Sequence, residues 1–404
     1  MASSSSSSSS SESKHEALQP VHPSMKGKLD PVFEKLYNDN VANTPLRPID
    51  LTVLRRNYSA LYSYGTGPAP DVGRIYDATI PIIDDDDDDD GDGSSSSSTK
   101  RTLLDVRVYE PSSPGPWPVH VDFHGGGWGL GDLDTEAHIC RHICHRANVV
   151  VIDVAYRLVP EHAFPVGVTD SWAALRYIHA HGAARFNVQP ARGISLGGVS
   201  AGAFIALSLA HLARDHRDHH DHSPAPIPLK LVVVGTPVID DLSQYAAAAE
   251  SPFPSMRENE WAPTLNWARL VWFDKLKWSS LPAPTPSSEG NEVQGSGGGG
   301  DGGDAAAAAV AAAQREKLGW FLNLLKAPNY RDLPKTVIYT AGADPLRDEG
   351  ERYAQLLVEN GVEVTLKRFP GVPHPFMHMD KDLWQAREFI DKTAREIRLA
   401  HHHP

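Results

Sequence analysis

Apolar positions along the chain fall into two rhythms. "LLDVRVYEP" (103–111) alternates apolar and polar residues with period two and predicts a strand with one buried face. "WPVHVDFHG" (117–125) predicts a second, and "NVVVIDVAYRL" (148–158) is a β-branched run of the kind buried on both faces. "RGISLGGVS", "LKLVVVGTP", "KTVIYTAGADP" and "EVTLKRF" continue the series of strands. Between them, apolar residues recur at helical spacing in "TDSWAALRYIHAHG", expected to stop at Gly182, and in "AGAFIALSLAHLAR". "RDEGERYAQLLVENG" and "DLWQAREFIDKTAREIRLA" follow the same rhythm. Strands alternating with helices predict an α/β fold with a mostly parallel sheet covered on both faces.

Other stretches carry neither rhythm. A Ser-rich leader, 1–24, a run of aspartates with Gly and Ser at 84–100, and a Gly-rich stretch passing into alanines at 282–313 read as insertions without a packed core. "RDHRDHHDHSPAPIP" (214–228) reads as a solvated loop rather than a metal site. The Trp-rich, helically patterned segment 240–334 interrupts the alternation and predicts a separate layer over one end of the sheet. Its Trp261, Trp267, Trp272 and Trp278, with Phe273, are expected mainly in that layer's core rather than around a substrate. The core is then split into 71–239 and 335–400.

Composition narrows the function. The 404 residues carry a formal net charge of −13, of which Asp84 to Asp90 and Asp92 supply eight charges. The remainder fits an ordinary protein and argues against a nucleic-acid partner. No apolar run approaches the ~18 residues of a membrane span, and the leader lacks the apolar stretch of a secretory signal. Cys140 and Cys144 lie four apart on a predicted helix, so a disulfide scaffold is excluded and a reducing, cytoplasmic setting is expected.

The chemistry concentrates in two glycine-rich stretches. In "GVSAG", Ser200 stands between Gly198 and Gly202, after a strand and before a helix, the context of a nucleophile elbow. "HGGGWGLGD", His124 to Asp132, follows another strand. Its consecutive glycines Gly125, Gly126 and Gly127 can present backbone N–H groups to a developing oxyanion. A serine nucleophile needs a base and a group that orients it. Asp344 and His374 each follow a predicted strand, and the order Ser200, Asp344, His374 suits an open parallel sheet. His378 is the alternative base. Asp348 and Glu349 are alternative acids, expected instead to cap a helix.

"HGGGW", "YRLVPEHAFP", "GVSAGA", "DPLRDEG" and "GVPHPF" stand in the order and spacing of the hormone-sensitive-lipase-like branch of the α/β-hydrolases, which the chain resembles from about Asp30 to Ala400. The resemblance implies an eight-stranded, mostly parallel sheet and an N-terminal helical cap, placed at 25–70. It implies Ser200 as nucleophile, His374 as base, Asp344 as its acid, and an oxyanion hole from the N–H groups of Gly126, Gly127 and Ala201. His124, Gly125, Gly198 and Gly202 support these motifs, and Glu161 would hold a loop near the site. Two positions depart from the family pattern: Val199 stands where Asp or Thr is usual, and Ala203 where a glycine is. "HICRHICHRAN" (138–148) falls on the helix that covers the sheet and fits no zinc spacing, so packing is its expected role.

The implied activity is hydrolysis of a small carboxylic ester of short-to-medium acyl chain, with no metal or organic cofactor. Amide cleavage would use the same residues. A non-catalytic receptor on this fold would lack the catalytic histidine, and His374 is present.

Overall fold

The structure, a computed structural model, describes residues 19–44, 50–62, 64–83, 101–218, 226–279 and 312–402. Eight strands form one sheet: β1 (Arg74–Ile83), β2 (Arg101–Glu110), β3 (Val119–Phe123), β4 (Val150–Val154), β5 (Ile194–Val199), β6 (Leu229–Gly235), β7 (Lys335–Ala341) and β8 (Val364–Phe369). Their order is β1-β2-β4-β3-β5-β6-β7-β8. β2 runs antiparallel to both its neighbours, and every other pairing is parallel.

Each apolar run named above supplies a strand, although β4 ends at Val154 and "AYRL" leaves the sheet. β1 was not anticipated. Its buried side carries Tyr76, Ala78, Ile80 and Ile82 at period two, and Pro81 is tolerated because β1 is the sheet edge.

Two helix boundaries also differ. The helix Val166–Phe186 runs through Gly182 and ends where Asn187 turns left-handed at φ 51° and bonds back to the Gly182 carbonyl. Gly182 serves close packing instead, since a β-carbon there would lie 3.0 Å from Val188 Cγ2. The helix Ala201–Asp218 continues into the stretch expected to be a loop. The buried Arg214 fixes it there by donating to the carbonyls of Asn329 and Arg331. Residues 219–225 of that stretch lie outside the described residues, as do 1–18, 84–100 and 280–311.

Both sheet faces are covered. On one, the helices Val166–Phe186, Ala201–Asp218 and Arg347–Glu359 bury the larger apolar cluster. On the other, the helices Ala137–Ala147 and Trp384–His402 pack with Met25, Leu29, Phe33 and Tyr37 from the N-terminal region. Cys140 and Cys144 are free and buried there. A third, smaller cluster joins Met256, Leu265 and Leu270 of the segment between β6 and β7 to Leu346. Each such buried side chain contributes about 2 kcal/mol, enough to hold that segment against the carboxyl end of the sheet. Among the described residues no helix is long and apolar enough to cross a membrane.

Candidate active site

β5 lies between β3 and β6, and Ser200 follows it directly. The serine adopts a left-handed backbone, φ 58°, a conformation that costs a non-glycine residue about 1–3 kcal/mol. The surroundings enforce it. Ser200 N–H donates to the Gly235 carbonyl at 3.0 Å, and Phe204 N–H donates to the Ser200 carbonyl at 3.1 Å. The flanking glycines are required by the end of β3. A β-carbon on Gly202 would sit 1.9 Å from the Phe123 carbonyl oxygen, and one on Gly198 would sit 2.6 Å from it. Ser200 therefore stands on a tight strand-to-helix turn.

The loop after β3 is built around His124, whose Nδ1 lies 2.8 Å from the Gly125 carbonyl oxygen. Its ring stacks on Tyr156 at 4.3 Å, and the Tyr156 hydroxyl donates to the His124 carbonyl. Gly126 and Gly127 have φ of 118° and 58°, which glycine alone adopts without strain. Among the described residues no acceptor takes their N–H groups. From outside, Arg55 of the helix Leu51–Tyr62 donates to the carbonyls of Gly129 and Val159 and forms a two-pronged pair with Glu161.

Asp344 follows β7 and His374 follows β8. His374 Nδ1 and Asp344 Oδ2 are hydrogen-bonded at 2.8 Å, and both side chains are buried. The other Asp344 oxygen accepts from Leu346 N–H, and Asn259 donates to the Asp344 carbonyl. Ser255 donates to the Pro345 carbonyl on the same loop and to the Asp348 carboxylate in the first turn of the helix that follows. Neither alternative acid reaches the histidine. Asp348 pairs with Arg347. Glu349 does not cap its helix as expected; burial first and Asp240 next hold its carboxyl far above the usual range. It accepts from Ile239 and Asp240 N–H. Inside the fold it braces the chain leaving β6.

One cavity gathers Gly125, Gly126, Gly127, Ser200 and His374, with Val199, Val238, Leu265, Leu270, Phe273 and Leu346 as an apolar wall. Asp344 stands behind His374. Ala201 and Glu161 are not on the lining. Of the aromatic residues of the inserted segment, Phe273 and none of the four tryptophans faces this space. Trp261 instead stacks on His22, and Trp278 joins the main core beside Phe164.

His378 also lines the cavity, but its neighbour is Glu136, 3.6 Å away. Burial pushes Glu136 up to about 8 and His378 down to about 4, each toward its uncharged form. Arg55, Tyr156, Ser255, Asn259 and Glu136 were not singled out from the sequence. Of these, Tyr156 alone lies in a motif noticed there, "YRLVPE". One group of three side chains with metal-ligating chemistry, His138, His142 and Asp380, lies off the cavity lining.

This chain matches known proteins over most of its length. The family described as the alpha/beta hydrolase fold matches residues 120–285 and 300–378. An AB hydrolase superfamily protein of Schizosaccharomyces pombe is 30% identical across 95% of this chain and 97% of its own. Carboxylesterase NlhH of Mycobacterium tuberculosis is 32% identical across 74% of this chain and 80% of its own. Among solved structures, a hyperthermophilic esterase from Pyrobaculum calidifontis superposes with a TM-score of 0.68 at 26% identity, covering 92% of this chain and 98% of that one. EstE1, a thermostable carboxylesterase from a metagenomic library, gives 0.66 at 26% identity, covering 88% and 98%. The chain belongs to the α/β-hydrolase family, in its hormone-sensitive-lipase-like branch.

Proposed function

We propose that this carboxylic ester hydrolase cleaves small esters through an acyl-enzyme, with Ser200 as nucleophile, His374 as general base and Asp344 as the acid that orients it. The observation that carries this reading is the buried His374–Asp344 hydrogen bond opening on the same cavity as Ser200. Asp344 accepts from His374 Nδ1–H, which leaves Nε2 free to take the Ser200 proton. The serine oxygen then bonds the ester carbonyl carbon, and the negative charge moves to the carbonyl oxygen. The N–H groups of Gly126, Gly127 and Ala201 receive that charge, the first two without competing acceptors among the described residues. His374 returns the proton to the leaving alcohol. Water, deprotonated by the same histidine, attacks the acyl group and frees the acid and Ser200.

The apolar wall around Phe273 and Leu270 would receive an acyl chain of short-to-medium length. The helix Leu51–Tyr62, through Tyr58, and the described chain between β6 and β7 would act as the cap over that space, with Glu161 holding Arg55 against the oxyanion loop. The buried free thiols of Cys140 and Cys144 fit a reducing compartment, the cytoplasm.

The test is the initial rate on p-nitrophenyl esters of rising chain length and on matched amides. Ser200→Ala and Asp344→Asn are assayed alongside. Loss of about 10⁶-fold in kcat for Ser200→Ala and about 10⁴-fold for Asp344→Asn, with KM little changed, supports the assignment. Ester turnover that survives Ser200→Ala overturns it, and faster cleavage of the amides overturns the ester class.

A further inference from the structure

The helix Ala137–Ala147 turns Ile139, Cys140, Ile143 and Cys144 into the second core, as packing requires. It also carries His138 and His142, one turn apart, with rings edge to face and centroids 4.7 Å apart. Opposite them stands Asp380, two residues beyond His378. One ligand atom from each of the three lies within 4.8 Å of the others.

Hydrogen bonding leaves His142 out of this grouping. His142 is 5% exposed, and neither of its ring nitrogens has a partner among the described residues. His138 Nε2 lies 2.9 Å from Asp380 Oδ1, an ion pair when the ring is protonated. Asp380 Oδ1 also accepts from Gly67 N–H. The buried, unpartnered ring nitrogens of His142 are costly as they stand, and a cation shared with His138 and Asp380 would take up one of them.

We propose that His138, His142 and Asp380 form a binding site for a divalent transition-metal ion of the zinc type. Two imidazoles and one carboxylate suit zinc, whereas calcium and magnesium prefer oxygen donors alone. Zinc bonds of about 2.0–2.2 Å place ligand atoms roughly 3.4 Å apart, so separations of up to 4.8 Å need close by roughly 1.4 Å. The His138 and Asp380 side chains are 12% and 10% exposed, which leaves solvent a way in and water the fourth position. Glu136 and His378, each two residues from a ligand, line the cavity. A bound ion would clip the helix to the turn that carries His378, just behind the cavity wall.

Zinc also binds histidine-rich stretches without a built site, and this chain has two, around His216–His222 and His401–His403. The test therefore uses the full chain carrying H219N, H220N, H222N, H402N and H403N. Titration of that protein with Zn²⁺ should show one ion per chain and a Tm raised by several degrees. Co²⁺ in its place should give visible absorption bands of low-coordinate cobalt. Adding H142Q should leave the far-ultraviolet circular dichroism of the metal-free protein intact and weaken Zn²⁺ binding at least tenfold. Absence of any Zn²⁺ binding, or unchanged affinity in H142Q, overturns the proposal. If H142Q does not fold, H138Q carries the same comparison.

Discussion

A β-carbon placed on Gly202 would lie 1.9 Å from the carbonyl oxygen of Phe123. The first turn of the helix Ala201–Asp218 thus rests directly on the last residue of β3, and the strand bearing the loop Gly125–Gly127 sets the height of Ser200. Gly202→Ala should cost about 3 kcal/mol, because backbone rather than a flexible side chain must give way. Gly361→Ala is the control. That glycine has φ 82° in open space, so only conformational strain of about 1 kcal/mol is expected. Urea unfolding of the two variants checks the difference.

Arg55 links a helix near the N-terminus to the loop after β3 through the Gly129 carbonyl, and to the chain after β4 through the Val159 carbonyl and the Glu161 carboxylate. Arg55→Ala should lower kcat/KM about tenfold, the worth of one or two charge-assisted bonds. Glu161→Gln should cost about twofold, because the Glu161 side chain is 54% exposed and both carbonyl bonds survive. Equal losses in the two variants would show that the ion pair, not the carbonyl contacts, carries the effect.

Phe273 packs so closely on Gly127 that a β-carbon there would sit 2.3 Å from the ring. Phe273→Ala should open the cavity beside Gly127. The preferred acyl chain should lengthen by about two to four carbons, with the rate on acetyl esters reduced. The p-nitrophenyl ester series reads this directly.

His211 is buried among Trp320, Tyr330 and Tyr353, with Nε2 2.9 Å from the Tyr353 hydroxyl. Burial first, then Arg214, pushes its pKa down to about 3 from 6.5. The unfolded chain takes up a proton that the native state refuses. Stability from this site is therefore complete above pH 6.5 and is lost as pH falls toward 3, by up to about 1.4 kcal/mol per pH unit. His211→Gln keeps a partner for Tyr353 and removes the titration. Its stability should fall less steeply between pH 6.5 and 4.5 in urea titrations.

Much of the site was legible because its parts are local. The Ser200 turn, the glycines after β3, and an acid and a histidine just past consecutive strands each announce themselves within about ten residues. What stayed hidden was long-range. Arg55 and Glu161 meet across 106 positions, and Asn259 reaches the Asp344 carbonyl across 85; neither pair leaves a periodic trace. β1 was missed although its alternation is regular, because Pro81 and an exposed Ile75 blur an edge strand. Gly182 reads as a stop because a glycine that admits a neighbour looks the same in sequence as one that ends a helix.

The chain between β6 and β7 contributes the apolar wall of the cavity and, through Ser255 and Asn259, the fastenings of the loop bearing Asp344. Its two duties cannot be inherited separately. Grafting this segment from a relative with a different substrate would import foreign moorings for the acid along with the new wall. Drift in specificity should therefore proceed by single exchanges at positions such as Phe273 and Leu270, with Ser255 and Asn259 left in place.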